Sequence, residues 1–218
     1  MAGIAENLQL VRARIARFPG VKLLAVSKSQ DVDRVRAAFN AGQHAFGENY
    51  VQEAVAKMQL LPKLEWHLIG PLQSNKTRVA AERFDWVQTL SGEKVARRLS
   101  EQRPPELAPL NVLIQVNVSA EHSKSGVAPG EVERLAQAVA TMPRLRLRGL
   151  MAIPAPGADR PVYRRMKQLY DSLQSGFAFD TLSMGMSDDL ELALEEGATM
   201  VRVGTAIFGE RKKQQDAA

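Results

Sequence analysis

The chain has 218 residues, 45% of them hydrophobic, with 29 Lys and Arg against 24 Asp and Glu and a formal net charge of +5 at pH 7. That length buries one sizeable core and is too short for two ordinary enzyme domains, so one domain over residues 1–218 is expected. The absence of cysteine excludes disulfides, thiol nucleophiles and cysteine-ligated metals, and is compatible with a reducing compartment.

The positive charge could suit a phosphorylated ligand or nucleic acid, but it is scattered. Without a nucleic-acid-binding motif it reads as a solvated surface, so no nucleic-acid partner is expected. No apolar run approaches the roughly 18 residues a membrane span needs, and the first twenty residues lack a signal-peptide core. The expectation is a cytoplasmic protein with no membrane partner.

In chain order, Ile4, Leu8, Val11 and Ile15 recur at three- and four-residue spacing and predict a first amphipathic helix over Ile4–Arg17. Eight short apolar runs follow, read as buried strands: LLAVSK, HAFGEN, EWHLIG, WVQTLS, NVLIQVN, LRLRGLMAI, TLSMGMS and MVRVGTAIFG. Between them lie predicted helices about Asp31–Ala41, Tyr50–Leu61, Asn75–Arg83, Gly92–Gln102, Pro129–Thr141, Arg160–Gln174 and Asp188–Glu196. The Pro-rich EQRPPELAP and IPAPGADRP fall between elements as loops, and residues 212–218 read as a frayed tail. Eight strands alternating with helices point to a single (β/α)8 TIM barrel with an extra N-terminal helix.

Barrel sites lie at the C-terminal ends of the strands, and here several runs end in polar residues: Lys28, Asn49, Asn117, Ser187 and the Gly204-Thr205 pair. Alternation puts Leu24, Val26 and Lys28 on one face, Ala45, Gly47 and Asn49 on another, and Ser183, Gly185 and Ser187 on a third. A lysine partly desolvated at a strand mouth supplies the neutral amine that Schiff-base chemistry needs. By position alone, a strand-end lysine reaching into water is the commoner arrangement.

Ser187 and Gly204-Thr205 sit where many barrels gather backbone N–H groups and hydroxyls around a phosphate, although GT is also common in plain turns. Arg202 shares the face of Gly204, as either the partner of a barrel-lining carboxylate or a donor to a ring nitrogen or ligand anion. His44, His67 and His122 lack metal-ligand spacing, so no metal is expected and His67 reads as a satisfied core histidine.

Taken in order, AVSK, FGENY, WHLIGPLQSNK, SKSG, GLMAI and LSMGMSDDLELALEEGATMVRVGTAIFG closely resemble the pyridoxal phosphate homeostasis proteins, from the first helix to Gly209. The resemblance implies a fold-type III barrel binding pyridoxal 5′-phosphate (PLP), related to the N-terminal domain of alanine racemase. Lys28 would form the internal aldimine, Asn49 would lie beside the cofactor, Ser187, Gly204 and Thr205 would hold phosphate, and Arg202 would face the pyridine nitrogen. An arginine there keeps its proton and leaves the ring a poorer electron sink, as alanine racemase also does while remaining active.

Alanine racemase resembles a barrel plus a second β-rich domain, with a tyrosine base supplied across its dimer. In this chain Tyr50, Tyr163 and Tyr170 fall in predicted helices, and none is an obvious second base. The expected function is PLP homeostasis by buffering or delivery, without turnover, in a monomer whose candidate recipients are PLP-dependent apoenzymes; the alternative is a small fold-type III amino-acid racemase. One departure from bacterial relatives is Gln30, where many carry a second lysine. Lys76 and Lys124 remain candidates for secondary PLP capture.

Overall fold

A computed structural model describes residues 3–119 and 125–210; His122, Lys124 and the tail 212–218 lie outside the described residues. Eight parallel strands close into a barrel in chain order: β1 (Lys22–Val26), β2 (Ala45–Glu48), β3 (Glu65–Leu68), β4 (Trp86–Leu90), β5 (Leu110–Val116), β6 (Leu145–Ala152), β7 (Thr181–Ser183) and β8 (Met200–Val203). Closure comes from β8 pairing with β1, which sets Leu24 opposite Arg202.

Around the barrel run α1 (Ile4–Ile15), α2 (Val32–Asn40), α3 (Val51–Leu60), α4 (Thr77–Arg83), α5 (Glu93–Gln102), α6 (Val132–Ala140), α7 (Arg160–Phe177), α8 (Leu190–Glu195) and α9 (Thr205–Phe208). Local chemistry places several of their starts. The Asp31 carboxylate accepts from the Arg34 N–H at 2.9 Å and caps α2. Asp159 precedes α7 with Pro161 in its first turn, where a missing N–H costs no helical bond.

Strand alternation divides the apolar residues into two cores. Leu24, Ala45, Ile69, Trp86, Leu113, Met151 and Met200, with Val26, fill the barrel interior. Their alternating neighbours, such as Ala25, Phe46 and Leu68, pack under the helices. Among the described residues no helix is long and apolar enough to cross a membrane.

Several boundaries differ from the sequence reading. The run MVRVGTAIFG is strand only to Val203; the chain turns at Gly204 into α9, which buries Ile207 and Phe208. Periodicity cannot separate a short buried helix from a strand, and here contact with α1 decides it, including the Asn7 amide donating to the Ile207 carbonyl at 2.9 Å. The helix predicted from Pro129 begins as a 3-10 turn over Pro129–Glu131. Tyr50 is the residue preceding α3 and stands 62% exposed, outside the helix it was expected to join.

Candidate functional site

Lys28, Asn49, Ser187, Arg202, Gly204 and Thr205 fall on one arc of the rim, because β7, β8, β1 and β2 are consecutive in the closed barrel, whereas Asn117 follows β5 outside that arc. Val26 pairs with Gly47, so Lys28 and Asn49 each lie two residues past paired positions. Lys28 is not the last strand residue: β1 stops at Val26, and Lys28 occupies a turn in which Gln30 N–H donates to the Ser27 carbonyl at 3.1 Å. Ser29 follows with φ 60°, in the left-handed region.

Asn49 is held by close backbone approach. A Cβ on Gly70 would fall 2.2 Å from the Asn49 carbonyl oxygen, so the segment after β3 packs against Asn49 only as glycine. Across the arc, a Cβ on Gly204 would meet the Val26 carbonyl oxygen at 3.3 Å, which puts the end of β8 against the end of β1.

Ser187 departs from the expected strand face. β7 ends at Ser183, and Gly185, with φ 92°, breaks the alternation that would have aligned Ser187 with it. The Gly185 carbonyl instead accepts from the Arg202 N–H at 3.0 Å, and the Ser187 hydroxyl oxygen meets the Ala206 N–H at 3.4 Å, a long contact. The loop after β7 nonetheless approaches the segment that begins with Gly204 and Thr205.

Arg202 is inside the barrel and 3% exposed. It donates to the Ser183 hydroxyl at 2.8 Å and to the Ala152 carbonyl at 2.8 Å, so these partners are neutral where the sequence reading allowed a carboxylate. Burial lowers its pKa to about 10, against the opposing influence of Asp189 and Tyr163, and it stays protonated at neutral pH.

Behind it runs a polar chain that the sequence reading did not foresee. The Ser183 hydroxyl donates to Gln88 Oε1 at 2.7 Å, Gln88 Nε2 lies 2.9 Å from His67 Nδ1, and His67 Nε2 lies 2.5 Å from Glu65, which also pairs with Lys22 at 2.5 Å. Every donor then points one way, from Arg202 to Glu65, if His67 is neutral with its proton on Nε2. Burial favours that state by holding His67 down to about 4, only partly offset by Glu65. For Glu65, burial acts upward but is outweighed by His67 and Lys22, leaving the carboxylate at about 2. His67 is thus the satisfied core histidine its pattern suggested.

Outside the barrel wall, beneath α3, lies a cluster of buried ions. Lys57 Nζ donates to the Ser27 carbonyl at 2.7 Å and to Glu48 and Glu53 at 2.8 Å each, while the Ser27 hydroxyl donates to Glu48 at 2.6 Å. Burial lifts Glu48 to about 7 despite Lys57. A signal was present in the sequence: Glu48 alternates with the inward Ala45 and Gly47 and shares the outward face of Phe46, where an apolar residue belongs.

A cavity of about 300 Å³ opens beside this arc; the described residues lining it are Asn49, Ile69, Gly70, Pro71, Thr89, Gln115, Ser125 and Ile153, none of them charged. Tyr163 donates its hydroxyl to Asp189. Tyr50 and Tyr170 complete the chain's tyrosines, and Tyr170 is buried on α7. Lys76 sits at the end of a 3-10 turn over Ser74–Lys76. Among the described residues no cluster of three or more His, Asp or Glu could hold a metal ion.

The closed barrel with its lysine-to-arginine arc defines a protein of the alanine racemase N-terminal-domain class, whose family model matches residues 1–212. The relatives narrow this further. Pyridoxal phosphate homeostasis proteins of Haemophilus influenzae and Pseudomonas aeruginosa are each 55% identical, covering 95% and 97% of this chain and 96% and 97% of theirs. The chain belongs to the pyridoxal phosphate homeostasis protein family.

Among solved structures, PipY of Synechococcus elongatus with PLP bound superposes with a TM-score of 0.85 at 36% identity, covering 94% of this chain and 100% of that one. Alanine racemase of Corynebacterium glutamicum shares the fold at a TM-score of 0.79 and 19% identity, with 97% of this chain matching 62% of the enzyme.

Proposed function

We propose that this chain is a cytoplasmic, monomeric, single-domain PLP carrier that holds the cofactor as a Schiff base on Lys28 and buffers or delivers it, without turnover, to PLP-dependent apoenzymes. The observation that carries this reading is the arc itself. Four consecutive strand ends bring an amine, an amide, two hydroxyls, a glycine turn and a buried guanidinium to one side of the rim. That donor set suits an aldehyde, a phosphate monoester and a ring-nitrogen acceptor in one ligand. The PLP-bound relative and the name shared by its kin support the same cofactor.

In this reading Lys28 supplies the amine, forming C=N to the aldehyde carbon with loss of one water. Ser187, Gly204 and Thr205 bind phosphate, Asn49 flanks the ring, and Arg202 donates to the pyridine nitrogen. Bound PLP stabilises negative charge at carbon. Because Arg202 keeps its own proton, the site leaves that capacity weak.

The absence of turnover rests on what surrounds the arc. An amino-acid substrate needs a cation for its carboxylate and a base on each face. Among the described residues the adjoining cavity is lined by neutral groups, and the Tyr163 hydroxyl donates to Asp189. The racemase alternative therefore lacks a supporting feature among the described residues.

Mixing the purified protein with PLP should produce a visible absorption band. Borohydride reduction and peptide mapping should then place the label on Lys28, with one label per chain and no racemisation in a chiral assay across the common amino acids. Label spread over surface lysines would defeat the carrier reading, and racemisation lost in Lys28→Ala would replace it with the enzyme.

A further inference from the structure

The Lys28 turn is gripped on both sides. On its N-terminal side, Ser27 is fully buried: its hydroxyl donates to Glu48 at 2.6 Å, its carbonyl accepts from Lys57 at 2.7 Å, and its N–H donates to the Gly47 carbonyl at 3.0 Å. On its C-terminal side, the Ser29 N–H donates to Glu53 Oε1 at 2.6 Å. That same oxygen is 2.8 Å from Lys57, so one ammonium ties together the bonds made to both neighbours of Lys28.

Two features separate this cluster from ordinary surface pairing. First, it is buried: the Lys57 side chain is 7% exposed and that of Glu48 is 0%. Removing such ions from water is costly, and apolar residues of similar size often serve stability as well. Second, the backbone it holds is strained, since Ser29 sits at φ 60° without being glycine. A single left-handed residue is unfavourable for an L side chain and persists where neighbouring bonds hold it.

We propose that Glu53 and Lys57 of α3, with Glu48 of β2, are positioning residues for Lys28. They fix the turn carrying the lysine so that its amine is presented to the mouth in one geometry, which sets the rate at which the site captures and releases PLP. This rests on the carrier reading above. The ions lie on the outer side of the barrel wall, away from the cavity, and act through the backbone of Ser27 and Ser29.

The deciding variant is Glu53→Ala, because the Glu53 side chain is 25% exposed and its loss leaves the buried Glu48–Lys57 pair intact. In ligand-free protein, amide exchange at Ser29 and Gln30 should accelerate about tenfold, the low end for losing a charge-assisted bond. Borohydride trapping at Lys28 should slow by about the same factor. Glu53→Gln, which keeps an acceptor for the Ser29 N–H, should recover part of both effects, and Glu93→Ala on the far surface should change neither.

Capture at the wild-type rate by Glu53→Ala would overturn the proposal, whether or not exchange had accelerated, because the contacts would then be merely structural. If the wild-type protein itself took no label at Lys28, the carrier reading would fail and the proposal with it. Wild-type labelling with an equally fast variant would sink the positioning role alone.

Discussion

The two ends of the rim are built in opposite ways. At the β1–β2 end the polar groups are ionic and mutually compensated, with all three ammonium hydrogens of Lys57 directed at named acceptors. At the β8 end, Arg202 is as deeply buried but rests on a hydroxyl and a carbonyl, with the neutral Ser183, Gln88 and His67 between it and the Glu65 carboxylate. The contrast separates two tasks. Paired ions hold backbone in place, whereas a cation resting on neutral donors and acceptors keeps its field available to a ligand.

This comparison can be broken most sharply at Lys57. Lys57→Met strands Glu48 without its counter-charge and should cost about 4 kcal/mol of stability in denaturant unfolding. Adding Glu48→Gln should recover much of that loss; a single variant as stable as wild type would show that the ions do not hold the wall.

Arg202→Met should do the reverse, sparing stability while weakening PLP binding about a hundredfold, or about 3 kcal/mol, in an absorbance titration. A collapse in melting temperature with unchanged affinity for PLP would make Arg202 a structural group and erase the contrast.

The smallest expected effect is in acid. Folded Glu48, lifted to about 7, takes up a proton before the unfolded chain does, so stability rises as pH falls from 7 to 5, by about 2 kcal/mol. Folded His67, held down to about 4, refuses a proton that the unfolded chain accepts near 6.5, so stability falls by about 2 kcal/mol over the same interval. The two regions offset one another in the wild type. His67→Gln should leave a protein that gains stability on acidification to pH 5, and Glu48→Gln one that loses it. Identical pH profiles for the two variants would refute the assignment.

The barrel was legible because its signals are local. Eight apolar runs alternating with helical periodicity imply the closed sheet, and alternation within LLAVSK puts Leu24 and Val26 on one face, which the structure turns into the barrel interior together with Ala45. Strand ends were less legible. A glycine with positive φ at 185 and the early end of β1 at Val26 shifted Ser187 and Lys28 out of strand into turns.

Sequence by itself therefore determined the architecture, the rim positions worth testing and, through long ordered motifs, the family resemblance. Tertiary structure alone decided what those positions lean on. Ser183 and Gln88 are 95 residues apart and meet only because the barrel closes, and Lys57 reaches Ser27 across 30 residues because α3 packs against β2, which is paired with β1. Hydrogen-bond partners of buried groups follow from packing over such distances, and neither periodicity nor spacing along the chain encodes them.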